Sequence, residues 1–313
     1  MIMTQNLGKS FDSFTAVRDL NLNVGAGELL ALLGPNGAGK TTTVRMLSSI
    51  LRPTTGRAEV NGYDVVTQPA QVRQSIGVLT EQPGLYLRMT GIEYLLFYGR
   101  LYGITDSAIR ERGLALFERF DMADAHQRRL GQYSKGMRQK VGLIRAMLHK
   151  PTVLLLDEPT SAMDPHSAKL VRDTIKEMRD DQRTIILCTH NLSEAEALAD
   201  RIAIIKKGSV VAKGSPAELK QQLLGHPQLE VRVDQHLNGQ VKELDYLVTV
   251  ESISENTIRY RTPNPEQDNP ILVRRLGELG LGIIALHEVS QSLEEVYLRV
   301  VAEAEEEQSG ANN

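Results

Sequence analysis

The sequence predicts an α/β fold with a mixed, mainly parallel core sheet, a helical subdomain and a small α+β domain at the C-terminal side. Three observations predict it. Short Val/Ile/Leu segments recur at "ELLALLG" (28–34), "IGVLT" (76–80), "TVLLLDEP" (152–159), "TIILCTH" (184–190) and "RIAIIKKG" (201–208). Several of them lack alternation, as strands covered on both faces do. Helical patterns such as Thr41–Leu51 and Pro165–Arg179 lie between them, and strands alternating with helices give a parallel sheet.

The first apolar segment runs into "GPNGAGKT", which satisfies G-x-x-x-x-G-K-[ST] with Gly34, Gly39, Lys40 and Thr41 in the required places. Glycines let successive backbone N–H groups turn inward around phosphate oxygens, and the following helix presents its positive end to them. Gly34, Pro35, Asn36, Gly37, Ala38, Gly39, Lys40, Thr41 and Thr42 are therefore the expected triphosphate cradle. In it Lys40 reaches the β/γ-phosphates, and the Thr41 hydroxyl takes one Mg²⁺ position.

Between about Gly91 and Lys150 no such strand occurs. "TGIEYLLFYGRLYG" and "DSAIRERGLALFERF" read as helices joined by turns, so a helical subdomain is expected over about 82–150. The strand "TVLLLDEP" then ends in Asp157 and Glu158, at the carboxyl edge where α/β ligands sit. An acidic doublet alone reads as an ordinary loop start; paired with the glycine loop, Asp157 can hold Mg²⁺ through a water, and Glu158 can orient and deprotonate the attacking water.

Further on, "GSPAELKQQL" offers Ser215 as N-cap, Pro216 at the first helical position and Glu218 as reciprocal cap. That helix closes the first domain (1–222). "LEVRVD" and "YLVTVESISENTIRYRT" read as antiparallel strands, and a helix begun by Asn269 and Pro270 is stopped by Gly280. "IIALHEVS" is a strand, and "SLEEVYLRVV" a helix with Leu293, Val296, Tyr297 and Val300 on one face and Ser292 and Glu295 as capping box. This second domain (223–302) has no cluster of titratable groups assignable to chemistry. The acidic, polar stretch 303–313 is expected to be a disordered tail.

Composition narrows the function. The 313 residues carry a net charge of only −3 with both signs mixed, which argues against a nucleic-acid binder. One cysteine, Cys188, fits a reducing compartment. "MIMTQNLGKSF" lacks the apolar stretch of a signal peptide, and the longest apolar runs are too short to span a bilayer. Any membrane role is expected to come through a partner.

With these motifs in place, residues 1 to about 220 resemble the ATP-binding subunits of ABC transporters, and the fold class implied is a P-loop NTPase ABC cassette. The most specific element is "YSKGMRQK" (133–140), similar to the family's signature sequence, although Lys135 and Met137 stand where glycine and glutamine are common. A small-residue turn at a helix start offers the Ser134 hydroxyl and the Gly136 N–H to a phosphate. In the family these groups act on ATP held by the other subunit, which implies a head-to-tail homodimer with ATP as substrate and glue. The resemblance also implies that "SAMD" (161–164), ending in Asp164, is the loop through which the subunits sense each other. His190 matches the histidine that contacts the γ-phosphate. Phe11 in "LGKSFDSF" matches the aromatic that stacks on adenine, with Phe14 as a nearby rival. After "IGVLT" the family has a glutamine touching Mg²⁺ or the water; here that place aligns with Glu81, which adds a third carboxylate near the metal, and Gln82 is next.

The resemblance implies ATP and Mg²⁺ as the small-molecule partners and a separate integral-membrane permease as the protein partner. The expected place is the cytoplasmic face of the membrane. The second domain resembles that of prokaryotic exporter subunits for drug or sodium efflux; a plain stabilising or dimerising appendage is the other reading. Two different functions compete. An ABC-type ATPase acting mechanically in translation or DNA repair tends to carry two cassettes or a long coiled coil, and neither occurs here. A GTPase or small-molecule kinase leaves the signature and "SAMD" without a role, and no "NKxD" guanine-reading sequence is present. The transported substance is not written in this chain.

Overall fold

A computed structural model describes residues 1–161, 163–180, 182–237, 244, 247–289 and 292–298. The expected tail 303–313, Val300 and Ala162 of "SAMD" lie outside the described residues. The chain divides into two compact units, Met1–Pro216 and Ala217–Asn313. The sequence reading puts the boundary near residue 222, toward the end of the helix Pro216–Leu224; the division falls at that helix's start.

In the first unit, the five apolar segments form one sheet. Its order is Ser209–Gly214, Arg201–Lys206, Leu29–Leu33, Thr184–Thr189, Val153–Asp157, Ile76–Leu79. All neighbours are parallel except the edge hairpin Arg201–Lys206 with Ser209–Gly214. Leu29–Leu33, Val153–Asp157 and Thr184–Thr189 are buried at every residue, which is why their sequences do not alternate. Because Leu33 pairs with Thr189 and Asp157 with Cys188, the strands finish in register, and the loops after them open at one edge.

The sequence reading did not include a second, antiparallel sheet built from Ile2–Phe11, Phe14–Leu20, Asn23–Val24, Thr55–Val60 and Tyr63–Asp64. Its inward residues Ile2, Leu7, Val17, Leu20, Ala58 and Val60 share a core with Val44, Met46 and Leu47 of the helix Lys40–Leu47 and with Leu30, Leu32 and Leu155 of the main sheet. The helix after the glycine loop is thus held between two sheets.

The helical segment contains Gly91–Leu101, Asp106–Arg119 and Lys135–Met147. Thr90 and Glu93 close a reciprocal capping box on the first of these helices. Tyr94, Leu95, Phe117, Val141 and Ile144 pack in one cluster with Leu79, Leu154, Leu156 and Leu187 of the main sheet. The segment is therefore anchored on the strands that carry the acidic doublet.

The second unit has a four-stranded antiparallel sheet ordered Thr249–Ser254, Thr257–Arg261, Gln228–Val233, Ile283–Glu288. The helix packed with it runs Pro265–Glu278, five residues earlier than the start read from Asn269 and Pro270. An Asn-Pro pair occurs twice, and Asn264–Pro265 is the one that begins the helix. Pro270 lies inside it, and Asn269 Oδ1 accepts the Tyr260 hydroxyl at 2.6 Å. Gly280, at φ +78°, follows the helix end as read. Leu272 and Leu276 bury against Leu229, Val231 and Tyr260. Residues 293–298 are helical, with Leu293 and Val296 buried and the Glu295 N–H donating to Ser292 Oγ at 3.3 Å.

Candidate functional site

The glycine loop leaves the buried strand Leu29–Leu33 at Gly34, where a Cβ would stand 2.3 Å from the Ile205 carbonyl oxygen. Only glycine fits there. Gly37 and Gly39 take φ of +81° and +107°, and Gly39 is the N-cap of the helix Lys40–Leu47 with no side chain capping it. A helix start of this kind presents backbone N–H groups to an anion. Lys40, only 6% exposed, curls back so that its ammonium donates to the Gly34 carbonyl at 2.6 Å and the Pro35 carbonyl at 3.1 Å.

Across the loop, the Thr41 hydroxyl donates to Asp157 Oδ2 at 2.7 Å. The other oxygen of Asp157, Oδ1, is buried and has no hydrogen-bond partner. Burial pushes the Asp157 carboxyl above the usual aspartate range; the charges of Glu158 and Glu81 add to this, while Thr41 and Lys40 oppose it.

Glu158 leaves the strand in the left-handed region, φ +52°, a conformation that costs a non-glycine residue roughly 1 kcal/mol or more. Two backbone bonds fix it: its N–H donates to the Cys188 carbonyl at 2.9 Å, and its own carbonyl accepts Gln139 Nε2 at 3.1 Å. Its Oε1 lies 2.8 Å from His190 Nδ1. In this bond Nδ1 is the donor and the carboxylate oxygen the acceptor.

These groups meet in a cleft of about 430 Å³ lined by Phe14, Ala16, Asn36 to Thr42, Glu81, Asp157 and Glu158. A neighbouring hollow of about 440 Å³ joins Thr41, Arg45, Thr80, Glu81, Gln82 and Asp157, so Glu81 borders both. A larger hollow, about 590 Å³, lies in the second unit against Lys220, Gln221, Pro263 and Glu288. Size does not select it, because the converging glycine loop and carboxylates are in the smaller cleft.

The remaining residues read from the sequence fall outside that lining. Phe11 pairs with Phe14 across the hairpin end and has the Lys9 ammonium 5.0 Å from its ring centroid; the ring that lines the cleft is Phe14. His190 reaches the site through Glu158. Ser134 caps the helix Lys135–Met147 by accepting the Met137 N–H at 3.2 Å, and neither Ser134 nor Gly136 lines the cleft of its own chain. Asp164 accepts the Ser167 N–H at 3.0 Å, a bond that holds its carboxyl below the usual range. Gln139 was missed: its signal is its place in the signature stretch, five residues after Ser134, on the buried side of that helix.

Comparison with known proteins places this geometry. Residues 17–161 match the ABC transporter family, and residues 214–301 match the C-terminal domain of DrrA1-3-like ATP-binding proteins. The chain is 37% identical over 316 residues to the daunorubicin/doxorubicin resistance ATP-binding protein DrrA of Streptomyces peucetius, covering 98% of this chain and 94% of that one. It is 45% identical over 201 residues to the ABC transporter ATP-binding protein NatA of Bacillus subtilis, covering 64% and 82%. A solved ATP-binding subunit of an ABC transporter superposes with a TM-score of 0.67 at 29% identity, over 72% of this chain and 94% of that one.

Proposed function

From the premise that this chain belongs to the ATP-binding subunits of ABC transporters, an ATP-hydrolysing family, we propose that two copies close head to tail on ATP and drive a separate membrane permease. The observation that carries the reading is one cleft holding the glycine loop, Lys40, Thr41, Asp157 and Glu158, with Ser134 and Gly136 outside it. A signature turn that does not line the cleft of its own chain is suited to complete the pocket of a second copy.

In this reading the triphosphate takes Lys40 away from the Gly34 and Pro35 carbonyls, and Gly34 to Thr42 wrap its oxygens. Adenine stacks at the aromatic end of the hairpin, on Phe14 rather than Phe11, because Phe14 faces the cleft. Glu158 takes the proton of the attacking water as its oxygen bonds to the γ-phosphorus and the bond to ADP breaks. His190 Nδ1 orients Glu158, and its Nε2 side turns to the γ-phosphate. Ser134 and Gly136 of the second copy add fixed donors for the charge that develops there, and groups supplied in trans give rate factors of about 10³ or more in NTPases.

The residues fit a hard divalent cation. Thr41, the unpartnered Asp157 Oδ1 and Glu81 form an all-oxygen set in the cleft, as Mg²⁺ prefers. Thr41, Asp157 and Glu81 would hold Mg²⁺, which when bound would neutralise charge on the triphosphate. Among the described residues no helix is long and apolar enough to cross a membrane, so coupling at the cytoplasmic face falls to the permease. Export is the direction proposed, because DrrA is named for daunorubicin and doxorubicin resistance and a further relative, LnrL of Bacillus subtilis, for linearmycin resistance. These relatives leave the mechanical role in translation or DNA repair without support.

Mixing two dead variants tests the composite site. Lys40→Ala lacks the loop lysine and Gly136→Asp sets a negative charge against the phosphate, so each alone is inactive. In a 1:1 mixture half of the pairs are mixed, each with one intact pocket, so hydrolysis recovers toward about a quarter of wild type for a two-fold dimer. No recovery means that the pocket is complete within one chain. Recovery of the wild-type protein with an integral membrane protein in detergent tests the permease.

A further inference from the structure

Beyond Asp157 and Glu158 lies a third buried carboxylate, which no step above uses. Glu194 is 2% exposed and sits in the first turn of the helix Leu192–Leu198, whose N-cap is Asn191. A glutamate at that position ordinarily reaches back to the N-cap N–H as a capping box. Here it does not. The Asn191 N–H donates instead to Thr189 Oγ1 at 3.0 Å, while Asn191 Oδ1 accepts the Glu194 N–H at 3.0 Å.

The Glu194 side chain spans two loops. Its Oε1 accepts the Thr160 hydroxyl at 2.7 Å, and its Oε2 accepts the Thr189 hydroxyl at 2.7 Å. Thr160 belongs to the turn after Glu158, in which the Ser161 N–H donates to the Glu158 carbonyl at 3.2 Å and the Met163 N–H to the Thr160 carbonyl at 3.3 Å. Thr189 is the last residue of its strand, and His190 follows it. Burying a carboxylate costs free energy unless its oxygens are satisfied, and hydrogen bonds to an ionised acceptor are the stronger kind. Burial pushes the Glu194 carboxyl up from its usual range, with Glu158 adding to it, and the two hydroxyls oppose this. A cost of that kind at a site beside the catalytic pair calls for a role that packing alone does not give.

We propose that Glu194 is a positioning residue for ATP hydrolysis: by bonding Thr160 and Thr189 through the two oxygens of one carboxylate, it fixes the turn carrying Glu158 and Ser161 to the turn carrying His190. The Glu158–His190 hydrogen bond and the turn that carries Thr160, Ser161 and Met163 are then set as one piece. In the function proposed above, closing of the dimer on that turn reaches the water-activating pair through a single side chain. The inference rests on the functional reading above.

The test uses the full-length protein and the variants Glu194→Ala, Glu194→Gln, Thr160→Val and Thr189→Val, with ATP turnover measured beside thermal unfolding. Glu194→Ala is expected to lower kcat about tenfold or more while KM for ATP stays within about twofold, as for other outer-shell partners of a reactive group. The amide of Glu194→Gln can accept one hydroxyl and donate to the other, so it restores most of kcat. Each valine lowers kcat, and neither adds to Glu194→Ala, because all three remove the same clasp. Should Glu194→Ala fail to fold, the two valine variants carry the comparison. Hydrogen exchange of the nucleotide-free protein gives a readout apart from turnover: the Ser161 and Asn191 amides exchange faster once the clasp is gone. A folded Glu194→Ala with wild-type kcat overturns the proposal, as does unchanged exchange at those amides. Equal loss in Glu194→Gln and Glu194→Ala also overturns it, since the charge rather than the clasp is then what hydrolysis needs. If the wild-type chain does not hydrolyse ATP, the functional reading falls, and the exchange measurement still decides whether Glu194 ties the two turns.

Discussion

His190 Nδ1 and Glu158 Oε1 are hydrogen-bonded at 2.8 Å, with the histidine side chain 60% exposed and the glutamate 10%. The pair joins two adjacent parallel strands: Glu158 follows Asp157, which pairs with Cys188, two residues before His190. In the base role proposed above, a Glu158 held this way is aimed before any nucleotide arrives.

Glu158→Gln removes the proton acceptor and keeps the shape. It is expected to bind ATP with near wild-type affinity, to lose about two to four orders of magnitude in turnover, and to accumulate as a dimer on ATP. Single-turnover hydrolysis and size exclusion with ATP check this; normal turnover removes Glu158 as the base.

Lys40→Ala deletes the ammonium that the loop holds in reserve. Mg–ATP at about one hundred times its Kd stabilises the wild-type fold by about 2.7 kcal/mol, and this gain should vanish in the variant. Thermal unfolding with and without nucleotide measures it; an undiminished upshift contradicts the phosphate assignment of Lys40.

Asp157→Asn relieves a buried charge whose Oδ1 is unpartnered. The nucleotide-free variant should gain roughly 1 kcal/mol in stability, about 2–4 °C in Tm for a unit of this size, while hydrolysis collapses. A lowered Tm with activity retained reverses both halves of the expectation.

Glu81→Gln removes one of three carboxylates lining the cleft. The Mg²⁺ concentration for half-maximal hydrolysis should rise, with maximal turnover changed less. Titrating Mg²⁺ at fixed ATP decides it, and an identical midpoint means that Glu81 does not serve the metal.

His149 sets a pH dependence. Burial lowers its pKa from 6.5, while Nε2 bonds the Ile76 carbonyl at 2.9 Å and the ring stacks on Tyr102. The unfolded chain thus takes up this proton at a higher pH than the folded chain. The stability linked to His149 is complete above about 6.5 and lost as pH falls toward the folded value. His149→Gln should flatten the decline of Tm between about pH 7 and 5.5; a slope equal to wild type removes His149 as its source.

The sequence was most legible where local pattern and long-range structure coincide. The strands Leu29–Leu33, Val153–Asp157 and Thr184–Thr189 are buried on both faces, so apolar runs announce them, and the glycine loop follows from its own spacing. The antiparallel N-terminal sheet was not legible. Its strand Ile2–Phe11 mixes buried and exposed residues, its register shifts twice against Phe14–Leu20, and Asn6 takes a positive φ. The helix start was read at Asn269–Pro270, but the same local signal stands five residues earlier at Asn264–Pro265, where the helix begins. The clasp of Thr160, Thr189 and Glu194 was invisible for another reason: Thr160 and Glu194 are 34 residues apart, and each alone is an unremarked polar residue near a turn.

The posture of Lys40 gauges the guest. Its ammonium already has two oxygen partners in Gly34 and Pro35, so an incoming anion gains only what phosphate offers beyond a carbonyl. A lone sulfate or monophosphate that reaches the loop amides without reaching Nζ leaves the side chain folded home. On the function proposed above, a chain of three phosphates has to draw it out before any bond is broken.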